Sequence, residues 1–132
     1  MNEEIVDKLI SVEKEAAKEK GDFTLFGAFE RQDTSGMWDI VISAPWINVK
    51  NKQYYDYFAR KINAKLTPEE IVTLSRIVLL EPATPFVRAI NKMLKIKHRN
   101  PQFINSVING VFIKNAYIIS SKPDASFIFK SK

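Results

Sequence analysis

Asn109-Gly110 sits between two apolar, β-rich runs, and this dipeptide constrains the fold more than any other feature of the chain. Both central residues of the tightest hairpin turn need positive φ, which Asn and Gly adopt at least cost. The signal predicts that roughly residues 103–108 pair with 111–119 as a hairpin. A second pair of β-rich runs, "FTLFGAFERQ" and "MWDIVISA", flanks the polar turn "DTSG". Alternation in its second run puts Trp38, Ile40 and Ile42 on one face and Met37, Asp39, Val41 and Ser43 on the other. Pro45 ends the run. Two hairpins commit the chain to antiparallel pairing.

Helical periodicity fills the gaps between them. Ile5, Leu9, Val12 and Ala16 form one stripe, flanked by Val6 and Ile10, and Gly21 is a natural stop. The polar face of this segment mixes Glu and Asp with Lys, which suits packing on a sheet better than lying on a membrane. Tyr54, Phe58 and Ile62 mark a second helix, with Tyr55 and Ala59 alongside. "TPEE" offers Thr67 as cap, Pro68 in the first turn and Glu70 as the reciprocal acceptor of a capping box. The short helix it opens gives way to "SRIVLLE", a continuous apolar run that reads as a buried strand. Thr84-Pro85 repeats the cap grammar before a helix through Phe86, Ala89, Ile90, Met93 and Leu94. "SFIF" near the end reads as one more edge strand. Helices interspersed with hairpins predict one α+β domain over 1–132: an N-terminal amphipathic helix and short helices packed on a mainly antiparallel sheet of four to six strands.

With 132 residues, 45% of them hydrophobic and 27% charged, such a domain can bury a core of its own. The chain has no Cys, which excludes disulfides and thiolate chemistry and fits a reducing, cytoplasmic setting. No window is long and uncharged enough for a membrane span, and the acidic amphipathic N-terminus is unlike a secretory signal. The net charge of +5 is unevenly spread. Residues 1–81 hold eleven Lys/Arg against fourteen Asp/Glu, whereas residues 82–132 hold nine against Asp124 alone. A basic half of this kind suggests an anionic partner, or a surface kept dispersed by charge.

Residues 25–43, "LFGAFERQDTSGMWDIVIS", resemble the opening motif of minimal, polymerase-beta-like nucleotidyltransferases. Leu25-Phe26-Gly27, the aromatic Phe29, Arg31 and Asp39 occupy the matching positions. The resemblance implies a backbone cradle for a nucleoside triphosphate at Gly27 and a metal-binding carboxylate at Asp39, with Glu81 as a further acid. Ala28 stands where the family has Ser, Gln32 where it often has Gly, and Val41 where it has the second Asp. The likeness covers 19 residues of 132 and implies at most a degenerate member.

Other catalytic signatures are missing from the sequence: it has no G-x-S-x-G elbow, no H-E-x-x-H and no Gly-rich phosphate loop. A nuclease of the Asp-then-Glu-x-Lys type would need a lysine after Glu81, where Pro82 and Ala83 stand. His98 is the one histidine, so no multi-His metal site forms. No cofactor and no metal is implied. Two surfaces remain. Lys92, Lys95, Lys97 and Arg99, following Arg88, suit phosphate contact, although positive charge near a helix C-terminus is favoured in any case. Trp46, Tyr55 and Tyr57 cannot all share the buried stripe of their segment, and exposed Trp and Tyr anchor protein interfaces. The sequence therefore reads as a small, soluble, non-catalytic interaction module. Its expected partner is another macromolecule, with protein favoured over nucleic acid and the degenerate nucleotidyltransferase as the rival.

Overall fold

The computed structural model describes residues 1–95, 102–108 and 110–123. Helix α1 (Glu3–Lys20) leads into the hairpin β1 (Leu25–Glu30) and β2 (Trp38–Ser43). Helices α2 (Lys52–Lys65) and α3 (Pro68–Ile71) then carry the chain to β3 (Leu74–Leu79). After α4 (Pro85–Met93) come β4 (Gln102–Ile108) and β5 (Val111–Ser121). The five strands form one mixed sheet in the order β3-β2-β1-β5-β4. The fold is α+β, with antiparallel pairing everywhere except the parallel pair β2–β3. The "SFIF" segment lies outside the described residues.

Alternation decides which face each helix covers. Phe26 and Ala28 of β1, Trp38, Ile40 and Ile42 of β2, and Ile119 of β5 meet Leu9, Val12 and Ala16 of α1 and Phe58 and Ile62 of α2. The opposite face carries Leu25, Phe29, Val41, Ala116 and Ile118, packed against Val87 and Ile90 of α4. Asn91 fastens α4 down: its amide donates to the Thr24 carbonyl and to the Ser121 hydroxyl, both at 2.9 Å. Ser121 in turn donates to the Leu94 carbonyl at 2.7 Å. The two donations satisfy both amide N–H groups of a residue only 4% exposed, as burial demands.

The capping box at α3 forms as read, and Glu70 also takes an ion pair from Lys8 at 2.7 Å, tying α3 to α1. Thr84, by contrast, makes no side-chain cap; Pro85 starts α4 through its fixed φ. Gly110 has φ +76°, the left-handed value that the β4–β5 turn needs. The largest correction concerns "SRIVLLE". Its strand, β3, lies at the edge of the sheet, and none of its residues is fully buried. Continuous apolar character signals cover on both faces, which α2 and α4 supply in part, but it does not tell an inner strand from an outer one.

Several acids are held below the usual carboxylate range. The causes are Lys65 beside Glu15, the Tyr57 hydroxyl at Glu19, the Asn115 amide at Glu30, Lys8 at Glu70 and Arg31 at Asp33. A depressed folded-state value stabilises above the unfolded value, and that contribution is lost as pH falls through the folded value. Tm is therefore expected to drop by several degrees between about pH 5 and pH 3, because unfolded carboxylates titrate near 4. Glu70→Gln should flatten that slope, and a Tm constant across the window would remove these pairs from the account.

Candidate functional site

Asp39 is not a solvent-facing hairpin residue. It lies on β2, paired on both sides, with a side chain 14% exposed. Arg76 on β3 reaches it at 3.2 Å and Arg31 at 3.5 Å, while Arg31 also holds Asp33 at 2.8 Å. The Arg31 guanidinium is raised further above its ordinary value, chiefly by the Asp33 hydrogen bonds and then by the Asp33 and Asp39 charges. Two carboxylates facing two guanidiniums leave no net negative charge for a divalent ion. Glu81 lies five residues beyond Arg76, the partner of Asp39, or roughly 16 Å at the rise of a strand. The two acids do not meet. Among the described residues no three His, Asp or Glu side chains converge on a metal position.

Gly27 lies inside β1 between Val41 and Ile118, not in a loop. A Cβ there would stand 3.0 Å from the Tyr117 carbonyl oxygen and 3.1 Å from Phe29. Close packing in the sheet accounts for the glycine without a phosphate.

The three aromatic candidates part company. Trp46 is half-buried: its indole N–H donates to the Asp22 carbonyl at 3.1 Å, and its ring packs on Phe23 and Phe58. Tyr57 donates to Glu19 and carries the ammonium groups of Lys61 and Lys20 over its ring. Burial, and then the Glu19 carboxylate, raise its hydroxyl pKa. Tyr55 alone stands open, 40% exposed. Lys92 and Lys95 are exposed at the end of α4, whereas Lys97 and Arg99 lie outside the described residues.

Tyr55 borders a groove of about 160 Å³ between α2 and β3, with Ala59, Ile62 and Asn63 on the helix side and Leu74 and Ile77 on the strand side. One wall is the outer edge of β3, which no strand among the described residues covers. Leu80 donates to the Ile42 carbonyl at 2.9 Å, and backbone groups facing one neighbour alternate along a parallel ladder. Arg76 and Val78 thus turn their groups toward β2, and the N–H and C=O of Ile77 and Leu79 point off the sheet. Val72, 69% exposed, extends the apolar strip just ahead of β3. Edge strands are usually blunted by Lys, Pro or a bulge. Here the register shifts only at the start, beside Asp39; Arg76, 60% exposed, is the one charge on β3, and Ile77-Val78-Leu79-Leu80 beyond it has neither charge nor Pro. Nothing in the sequence singled this edge out, since edge position follows from strand order. A second apolar pair, Val107 and Phe112, lies across the β4–β5 hairpin, 63% and 48% exposed.

No family model matches the chain, and neither a curated protein nor a solved structure matches it.

Proposed function

We propose that the protein is a non-catalytic interaction module that takes up an extended protein segment as a sixth strand beside β3. The open β3 edge next to the Tyr55 groove supports the reading. Strand addition draws affinity from main-chain hydrogen bonds and selectivity from pockets for alternate side chains. The edge supplies the first through Ile77 and Leu79, and the groove supplies the second through Tyr55, Ala59 and Ile62. No helix among the described residues is long and apolar enough to cross a membrane.

The test is a selection of displayed random peptides against the dilute protein, followed by amide hydrogen exchange. Bound peptide should slow exchange at Ile77 and Leu79. Ile77→Pro removes the outward donor at an edge position where proline is tolerated, and it should cost at least about tenfold in peptide affinity, or 1.4 kcal/mol. Ile77→Ala loses as much packing but keeps the donor, and it should bind far better than the proline variant. Protection that maps to the β4–β5 hairpin, or equal binding by the two variants, would overturn the assignment.

A further inference from the structure

A groove of about 160 Å³ takes a single side chain, far short of the roughly 300–1,000 Å³ of a small-molecule site. What else a strand beside β3 must carry is set by charge. We infer that the bound segment places an Asp or Glu on Arg76, directly adjacent in sequence to the residue that lies opposite Ile77; this rests on the strand-addition reading above.

A row of charges running across the strands to the edge carries the inference. Asp33, Arg31, Asp39 and Arg76 follow one another within ion-pair distance and alternate in sign. Arg31 sits between two carboxylates. It donates through Nε and Nη2 to Asp33 at 2.9 and 2.8 Å, and its Nη1 lies 3.5 Å from Asp39. Arg76 ends the row with a carboxylate on one side only. Asp39 lies 3.2 Å from its Nε and is the one acid it meets among the described residues. The Arg76 side chain is 60% exposed at the rim of the sheet, and Arg76 is the only charged residue lining the groove. A guanidinium offers five N–H donors in a fixed fork, of which a carboxylate takes two side by side. Asp39 holds the Nε side of that fork, so the ion pair orients Arg76 without using up its donors.

Backbone geometry places the missing acid. Asp39 and Arg76 are register partners, and they stand on the α4 face of the sheet with Val41 and Val78. Ile77 faces the other way, toward α2 and the groove. In an antiparallel addition, the pairing more stable per residue, the residue opposite Ile77 exchanges both outward bonds with it. Its neighbour then lies opposite Arg76 as a non-hydrogen-bonded pair, with about 4.5 Å between Cα atoms and both side chains on one face. An acid there gives Arg76 the two-sided arrangement that Arg31 already has. The added strand is thus read on both faces, apolar toward α2 and acidic toward α4.

Peptides from the displayed library that protect Ile77 and Leu79 from exchange are the probe. Each should carry an Asp or Glu at one constant place, with an apolar residue beside it. Replacing that acid by Gln should weaken binding to the parent protein about two- to fivefold, the range of a partly exposed ion pair, and high salt should shrink the difference. This change leaves the protein untouched, so it does not depend on any variant folding. Against Arg76→Gln the same peptide change should cost nothing, because the pair is already gone. Against Arg76→Glu the preference should reverse, with Lys at that place binding better than the acid.

Protection of Ile77 and Leu79 with no loss on removing the acid would overturn the inference and leave strand addition standing. An equal loss against parent and Arg76→Gln would overturn it too, since the acid would then be held elsewhere. Peptides that leave both amides unprotected would overturn strand addition itself, and this inference with it. Exchange at Ile77 and Leu79 therefore separates the two failures.

Discussion

Phe58→Ala is expected to remove about 3–5 kcal/mol of stability, the range for deleting a fully buried aromatic side chain. Phe58 has no exposed surface and lies where three rings meet: Tyr57 at 5.1 Å, Phe23 at 5.9 Å and Trp46 at 6.0 Å between centroids. These neighbours come from α2, the loop between α1 and β1, and the loop after β2, so no single element can collapse into the space. Total stability for a domain of this kind is about 5–15 kcal/mol, so the loss is a large share of it. Urea unfolding should show a lower midpoint with little change in slope. Phe58→Leu, which keeps most of the volume, should cost far less. A loss under about 1 kcal/mol for the alanine variant would mean that α2 is not anchored through this ring. The consequence reaches function, because Tyr55 and Ala59 ride on the same helix. Loosening its anchor should weaken any contact at the β3 edge before the sheet itself is lost.

What could be read from the sequence follows the range of the interactions concerned. The two hairpins, the α3 capping box and the stripe of Phe58 and Ile62 are set by neighbours a few residues apart, and all appear in the structure. The faces of β2 were legible for the same reason: a period of two needs no knowledge of the rest of the chain. The parallel pairing of β2 with β3 was not, because it depends on a crossover through α2 and α3. With it went the edge position of β3, which is the basis of the candidate site. Asp39 illustrates the same limit. Its position on β2 was plain, but its partner Arg76 is brought alongside only by that crossover.

Tyr55 and Tyr57 make the point at the level of side chains. Sequence spacing placed both off the main stripe and could not rank them. The structure separates them through α1, whose Glu19 accepts the Tyr57 hydroxyl bond, while Tyr55 is left 40% exposed among the described residues. An exposed tyrosine beside the outer edge of a largely aliphatic strand is a normal feature of an interface. The chemistry of the proposed site is thus ordinary surface burial plus backbone pairing, which needs no motif.

Gly27→Val discriminates between close packing and a phosphate cradle at that position. A Cβ at position 27 meets the Tyr117 carbonyl oxygen at 3.0 Å, Phe29 at 3.1 Å and Ile118 at 3.2 Å. The first of these is backbone, in the β1–β5 ladder where the register already shifts between Phe26 and Gly27. It cannot yield without disturbing that pairing, and the extra methyls of valine add to the crowding. Overpacking of this kind costs about 1–3 kcal/mol, which should lower Tm by on the order of 5–10 °C for a chain of this length. The effect should be present in plain buffer and unchanged by Mg²⁺ or a nucleoside triphosphate. If Gly27 instead served as a phosphate cradle, the variant would keep its Tm in buffer and lose only a nucleotide-dependent rise, since a ligand bound to the native state must stabilise it. Thermal scans of the parent and Gly27→Val, with and without Mg²⁺-triphosphate, separate the two. A variant with the parent Tm in buffer would return Gly27 and Asp39 to the centre of the functional question, and a destabilised variant with no nucleotide response would leave the β3 edge in that place.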